Sequence, residues 1–458
     1  MTPDAPPVRE GDEVRLEIVD LAFGGRGVAR VSGFVLFVKG ALPGEVARVR
    51  VRRVRRGYAE GDCLDILAPS PERVAPPCPH FGDCGGCDLQ HLSRRGQAES
   101  KRLQVAALLK RLAGLENPPV REAVAGGDPT GYRFRMDFDW GPGPGGRAAL
   151  GLHRSGRPAE ILPIETCLLI PEPANQIRML FARGAHERNL MPWDARRRTG
   201  LMRRLGIQMA RATGEILITL ETGRGDPPAL GELARQVTRL FPRVVGVMRR
   251  EFDRHDRLIG ESILNGRDHL FEDVDGDRLK IPAGAFFQPN ATAWSILREV
   301  VAKELEPGPD ETILELYCGV GFFTLPLARR CRQIVALDVS REGVAAARDN
   351  AARAGAGNAR FLCCDAGNAL ASLLKDTRCD AVLLDPPRAG LPRAAAQALA
   401  RAAVARIVYV SCDPATLARD LRILSREAGW EMRSVVPLDL FPQTHHVECV
   451  ARLERTEG

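Results

Sequence analysis

The stretch TILELYCGVGFFTL, residues 312–325, decides the fold of the C-terminal part of this chain. A mostly apolar run, TILEL at 312–316, meets a Gly-x-Gly turn at Gly319 and Gly321. Short runs of this kind, bounded by glycine, read as strands buried on both faces. Comparable runs stand at 334–338 (IVALD), 360–364 (RFLCC), 381–385 (AVLLD) and 407–411 (IVYVS), with Ala-, Leu- and Arg-rich helical stretches between them. This alternation, from about residue 290 to the end, predicts a doubly wound, Rossmann-like α/β sheet whose ligands gather at the carboxyl ends of its strands.

The polar residues fall at those ends. Gly319 and Gly321 let the backbone pass close to a nucleoside, yet Thr324 stands where a dinucleotide fingerprint would place a third glycine. Asp338 ends the second strand, where a carboxylate can accept both ribose hydroxyls of an adenosine. Together these features favour S-adenosyl-L-methionine over a nicotinamide cofactor; the plain alternative is a structural turn with a solvated aspartate. Asp365 and Asp385 end the third and fourth strands. Three carboxylates facing one crevice repel each other unless a cationic ligand sits among them, and a sulfonium is such a cation.

The fifth strand delivers Cys412 in YVSCDPATLARDL (409–421). Asp413 suits an N-cap and Pro414 a first helical position, so a helix is expected directly after the cysteine. The amides of that helix start, aided by Arg419, are expected to lower the thiol's pKa and make it a nucleophile rather than an inert buried cysteine. A thiolate beside a methyl donor points to carbon 5 of a pyrimidine. Addition at carbon 6 makes an enolate whose carbon 5 takes the methyl group, and a base then removes the carbon 5 proton so that the cysteine leaves. Glu448 in FPQTHHVECV (441–450) is the candidate base, with His445 and His446 as competitors and a mere surface charge as the alternative.

Residues 8 to about 68 read as five short strands between Gly-rich or Pro-Gly turns, a small barrel of the OB type. Arg48, Arg50 and Arg52 alternate with Val49 and Val51 and so share one face; Arg53, Arg55 and Arg56 extend the charge. Such a strip is expected to track a nucleic-acid backbone, a solvated edge being the other reading. The following mixed α+β region has a helix near 97–113, strand-like EILITLET and RVVGVMRRE, and GPGPGG at 141–146 as a tight loop between two strands. In CPHFGDCGGCDLQH, three cysteines, Cys78, Cys84 and Cys87, crowd into one short segment and signal a metal site. Composition makes zinc the default and an iron-sulfur cluster the next choice. Cys167 in ILPIETCLL offers a fourth ligand, with His80 and His91 as alternatives.

Over 458 residues the net charge of +7 is modest, so its placement matters more than its size. No apolar run is long enough to span a membrane and MTPDAPPVRE lacks the order of a signal peptide, so a soluble cytoplasmic protein is expected. In that compartment the twelve cysteines are not disulfides.

In combination the motifs resemble the family of RNA uracil-5-methyltransferases along nearly the whole chain. SCDPATLARDL is similar to the family's nucleophile motif, LLDPPRAG to its substrate-side loop, FPQTHHVECV to the segment bearing its base, and AGAFFQPN to a stretch whose glutamine touches the cofactor. The resemblance implies Cys412 as nucleophile and Glu448 as base. It also implies Gln288, Tyr317, Asp338, Asp365 and Asp385 around S-adenosyl-L-methionine, with Gly319 and Gly321 in the cofactor turn. The N-terminal barrel resembles a TRAM domain, an RNA-binding module of the family's ribosomal branch, which implies large-subunit (23S) ribosomal RNA as substrate. A tRNA enzyme is the near alternative and a noncatalytic RNA-binding factor the distant one. In that branch Cys78, Cys84, Cys87 and Cys167 would hold a structural [4Fe-4S] cluster, which reverses the zinc default. The domains implied are 1–70 (barrel), 71–285 (central, with the cysteines) and 286–458 (methyltransferase), with no membrane or protein partner. Two positions depart from the family's pattern: Phe322 and Phe134 stand where it carries asparagine.

Overall fold

In the computed structural model, which describes residues 6–142, 148–225 and 227–455, the N-terminal strands form a six-stranded barrel-like sheet. The run read as one first strand is two pieces. Glu13–Glu17 pairs with Val46–Val54, while Asp20–Ala22 pairs with Arg26–Val31. Ile18 and Val19 make the bend between them, their amides donating to the carbonyls of Glu45 and Val28, so this single run joins both edges of the sheet. Six strands therefore replace the expected five, and closure leaves no open edge. Ile18, Leu36, Val38, Val49 and Val51 fill the interior.

Arg48, Arg50 and Arg52 lie on the outer face, as their alternation requires. They do not form the open phosphate-tracking strip that the sequence suggested. Arg48 pairs with Asp65, Arg50 with Glu13 at 2.6 Å and Arg52 with Asp62 at 2.9 Å, so carboxylates of the neighbouring strands balance the strip. Arg53, Arg55 and Arg56 remain exposed beyond it.

From Arg135 to Gly266 the chain builds a seven-stranded sheet, antiparallel except where the helix Pro228–Leu240 carries it to a parallel neighbour. That helix and Glu172–Glu187 bury Leu233 and Phe181 against the sheet. Most of the GPGPGG loop lies outside the described residues; the strands it joins pair antiparallel, Gly141 opposite Ala149.

The C-terminal sheet has eight strands. Their order is Ala359–Cys363, Gln333–Asp338, Thr312–Leu316, Ala381–Leu384, Arg406–Ser411, Glu448–Arg455, Trp430–Asp439 and Val124–Ala125. The first five run parallel, and Glu448–Arg455 is antiparallel to both of its neighbours. The five strands expected from sequence agree within one residue at each end. Strand order reverses between Thr312–Leu316 and Ala381–Leu384, which opens a crevice above their carboxyl ends. Two segments from earlier in the chain complete this layer. The helix Arg94–Leu108 packs on Trp430–Asp439, with buried Lys101 paired to Asp439, and the hairpin His269–Val274/Asp277–Pro282 docks on the helix Arg341–Ala354, where Asn350 bonds the backbone of Lys280. No helix among the described residues is long and apolar enough to cross a membrane.

Candidate active site

The chain leaves the first parallel strand in a left-handed turn: φ is 66° at Tyr317, 53° at Gly319 and 88° at Gly321. Glycine adopts such angles freely, but for a tyrosine they are strained, a kind of strain that collects at functional sites. The turn aims the Gly319 amide at Asp338 Oδ2 (2.9 Å), while Ser340 donates to Oδ1 (2.8 Å). Asp338 thereby ties the turn to the second strand, and each oxygen retains acceptor capacity. Asp365 is exposed at the third strand end and caps the helix Ala366–Asp376 by accepting the Asn368 amide at 3.0 Å. Burial, then the charges of Asp365, Asp420 and Asp338, pushes the Tyr317 hydroxyl up to about 12. Asp385 accepts from Gln288 Nε2 at 2.7 Å, and burial raises its carboxyl above the ordinary range.

A further carboxylate escaped the sequence reading. Glu315 is buried in the first strand; Thr324 Oγ1 donates to one oxygen at 2.6 Å, and the other has no partner among the described residues. Burial first, then Asp385 and Asp338, pushes it up to about 8. Its signal was an acid inside an apolar strand, and the residue that breaks the third-glycine pattern, Thr324, is its partner.

On the other side of the crevice, antiparallel register places Ser411 opposite Cys449. Cys412 directly follows Ser411 and Glu448 directly precedes Cys449, so the end of this register brings the thiol and the carboxyl into electrostatic reach of each other at the crevice end of the two strands. Burial and then the Glu448 carboxylate push the Cys412 thiol up to about 12, while Arg388 pulls the other way. Glu448, buried, is held well above its usual range by burial and then by Asp385, again opposed by Arg388.

The expected activation by the helix start is not what the structure has. Asp413 Oδ1 accepts the amides of Ala415 and Thr416, both at 2.9 Å, so a carboxylate already caps the helix Pro414–Ala428 beside the cysteine. Arg419 is committed to Asp420 and the Ala389 carbonyl. Arg388, in the LLDPPRAG loop, is the cation that acts on the thiol. Its Nη2 lies 3.3 Å from His446 Nε2, and burial pushes His446 down to about 3, so this ring is neutral and can accept. His445 is engaged at 2.6 Å by Asp88.

The two departures from the family pattern meet on one ring. That ring is Phe287, which packs against Phe134 at 5.2 Å and against Phe322 at 5.5 Å, with Trp294 completing the cluster and donating from its indole to the Gln288 carbonyl. Phe322 thus belongs to the apolar core that seats Gln288 rather than to the polar wall of the crevice.

Cys78, Cys84, Cys87 and Cys167, contributed by two separate segments, line one cavity of about 200 Å³ with Phe81 and Leu152. Burial raises Cys84, Cys87 and Cys167, Cys87 to about 12, and the thiols raise one another further. The Gly86 amide donates to Cys84 Sγ at 3.4 Å. His80 borders the cavity, but its Nε2 accepts the Glu165 amide at 3.0 Å. Among the described residues no three His, Cys, Asp or Glu side chains are arranged to hold a metal ion. Four soft ligands around an apolar space fit a polynuclear sulfur-bound group rather than the tight shell of one ion.

A model of the tRNA (Uracil-5-)-methyltransferase family matches residues 274–456, and one of the TRAM domain matches residues 7–64. An uncharacterized RNA methyltransferase of Gloeobacter violaceus is 35% identical over 98% of this chain and 97% of its own length. Another, of Halalkalibacterium halodurans, is 31% identical over 99% of both. Among solved structures, that of Pyrococcus abyssi tRNA (uracil-54, C5)-methyltransferase in complex with S-adenosyl-L-homocysteine is similar, with a TM-score of 0.74 at 26% identity over 96% of this chain and 99% of that one. The chain is thus an RNA methyltransferase with an N-terminal TRAM domain and belongs to the tRNA (uracil-5-)-methyltransferase family.

Proposed function

We propose that this enzyme methylates carbon 5 of a specific uridine in a structured RNA, with Cys412 as nucleophile and Glu448 as base. The observation that carries the reading is that the two groups flank the last pair of the strand register, with Glu448 acting on the Cys412 thiol and Arg388 the cation acting on both. S-adenosyl-L-methionine is the methyl donor; the Pyrococcus abyssi enzyme is described with its demethylated product, and here Glu315, Asp338 and Asp385 make an acidic crevice that a sulfonium would offset. When bound, the donor supplies an electrophilic methyl group. The uridine must leave its stack to reach the pair. The Cys412 thiolate bonds to carbon 6, and the displaced π electrons form an enolate whose carbon 5 takes the methyl group. Glu448 then accepts the carbon 5 proton, the electron pair re-forms the ring double bond, and the thiolate is expelled. Burial favours the neutral thiol and carboxyl in the free enzyme, and Arg388 favours their charged forms, as a cationic donor would.

Large-subunit ribosomal RNA is the first substrate reading, from the TRAM barrel. Transfer RNA is the second, favoured by the Pyrococcus abyssi tRNA enzyme, which is similar to this chain along nearly its whole length, so possession of the barrel does not separate the two. Mapping 5-methyluridine in ribosomal and transfer RNA from a deletion strain, with and without the wild-type gene, separates the two; unchanged 5-methyluridine in both RNAs would refute the function.

We assign a [4Fe-4S] cluster to Cys78, Cys84, Cys87 and Cys167. Zinc would draw four sulfurs to about 2.3 Å from a single point, whereas these surround a cavity. Its role is structural: Asp88 and Leu89, directly after Cys87, both donate their amides to the Gln443 carbonyl in the loop that leads to Glu448. Metal and sulfide analysis after anaerobic purification tests the assignment, which a colourless zinc-loaded protein would overturn.

A further inference from the structure

A groove of about 1280 Å³ crosses the central domain, floored by Trp140, Trp193 and Phe252 and edged by Arg196, Arg198 and Arg254. It continues into a recess of about 590 Å³ that shares Trp193, Arg198, Phe252 and Arg254. Nothing in the chemistry above uses it.

The arginines are displayed on two pinned turns. Asp194 accepts the amides of Arg196 (2.8 Å) and Arg197 (3.0 Å) on its side chain, and its amide donates to the Thr199 carbonyl, so three consecutive arginines are held outward. Arg198 carries a left-handed φ of 55°, a conformation that an arginine adopts only at a cost. On the second turn Asp253 accepts the amides of His255 and Arg257, which leaves Arg254 projecting. Neighbouring arginines are satisfied: Arg203 by Asp256, Arg204 by Asp139 and Arg257 by Asp253. Arg196, Arg198 and Arg254 are exposed and have no carboxylate in salt-bridge reach among the described residues. The Arg203 guanidinium stacks over Trp193 at 3.6 Å, which keeps that ring oriented in the groove.

This is the reverse of the barrel strip, where each of Arg48, Arg50 and Arg52 is already neutralised. Guanidiniums without a salt-bridge partner, such as Arg254, whose Nε donates only to His255, can bind phosphate oxygens through their remaining N–H donors, and aromatic rings between them stack on bases. An acidic protein would use the arginines and leave the aromatic floor unexplained. The groove also stands away from the reacting pair. The strand Arg135–Pro142 begins next to Phe134, whose amide donates to Pro289 in the methyltransferase layer, and reaches the groove at Trp140. Six residues at about 3.3 Å each make about 20 Å.

We propose that this groove, which shares no lining residue with the reacting pair, is an RNA-docking surface that grips backbone phosphates away from the target uridine, so that the enzyme selects a folded RNA rather than a short strand. The proposal rests on the RNA-methylation reading and adds where the RNA is held.

The test uses the full chain with Arg196, Arg198 and Arg254 all changed to Ala, a second triple with all three changed to Lys, and a barrel triple of Arg48→Ala, Arg50→Ala and Arg52→Ala. Deproteinised large-subunit ribosomal RNA and total tRNA are the probes, titrated across a salt series. Each lost phosphate contact flattens the plot of log affinity against log salt by about 0.7 to 0.9. The groove Ala triple is expected to lose about 2 in slope and to raise the KM for RNA about tenfold or more, with kcat at saturating RNA and S-adenosyl-L-methionine affinity unchanged. The Lys triple should keep most of the slope, and the barrel triple should match the wild type. An unchanged slope in the groove Ala triple overturns the proposal, as does a Lys triple that folds yet loses as much slope as the Ala triple. Failure of the enzymatic reading looks different: the slopes change as expected, but the wild type leaves RNA uridine unmethylated.

Discussion

Two sets of cysteines in this molecule meet burial with different company. Cys412 and Cys87 are both pushed up to about 12, and in both cases burial is the largest cause. What comes next separates them. At Cys412 the next influence is a carboxylate, Glu448, opposed by a cation, Arg388; at Cys87 the charges that follow are three other thiols. A thiol beside a carboxylate at the end of a strand pair is placed to exchange protons around a reacting ring. Thiols facing each other are placed to share one cationic group. A raised thiol pKa therefore says little about role, and its neighbours say most.

The sharpest way to break this contrast is to remove the lone thiol. Cys412→Ala is expected to lower methyl transfer by about 10⁴-fold or more, while RNA binding and iron content stay at wild-type levels. Turnover within about tenfold of wild type in that variant would end the covalent mechanism. Glu448→Gln comes next, with turnover down about 10²- to 10⁴-fold. Because the base acts after the methyl group is in place, this variant should accumulate an RNA–protein adduct that survives denaturing electrophoresis. A variant that turns over slowly without any adduct would move the base role elsewhere.

How far these sites were legible follows from what a sequence encodes locally. The five parallel strands were readable because strands buried on both faces need continuous apolar runs, and their polar terminal residues marked the crevice. Cys412 was readable for the same reason. Its environment was not, since Arg388 arrives from another strand–helix connection and the capping carboxylate of Asp413 cancels the advantage expected of the helix start. The barrel shows the same limit. Valine and arginine alternation placed Arg48, Arg50 and Arg52 on one face correctly, but Asp65, Glu13 and Asp62 reach them only through strand register. Glu315 was visible as an acid in an apolar strand, and only the packed structure reveals that Asp338 and Asp385 surround it.

Arg388→Ala sharpens the contrast from the electrostatic side. On the proposed mechanism turnover needs the thiolate and the carboxylate, and the free enzyme holds both groups above their usual pKa values, so kcat/KM should rise with pH through the neutral range. Arg388 lowers both, so its loss should move that rise to higher pH and cut kcat/KM at neutral pH about tenfold to a hundredfold, one pKa unit being a factor of ten. Arg388→Lys should recover part of the loss. A pH profile that falls but does not shift would make Arg388 a substrate contact only.

The smallest effect on chemistry is expected from the other set. Cys87→Ser removes one of the four thiols around the cavity and, on the proposed cluster assignment, should lose the iron and lower the unfolding temperature. None of these cysteines belongs to the proposed reacting pair, so turnover at low temperature should stay within a few-fold of wild type. The link between the two sets runs through backbone: the amides of Asp88 and Leu89 hold the Gln443 carbonyl, and Glu448 follows five residues along that loop. Loosening this anchor should reach the base before the nucleophile. As temperature rises, Cys87→Ser should therefore slow release of the RNA–protein adduct more than its formation, which rapid-quench sampling can separate. If it abolishes adduct formation at low temperature with the fold intact, the quartet takes part in the reaction and the division between the two sets fails.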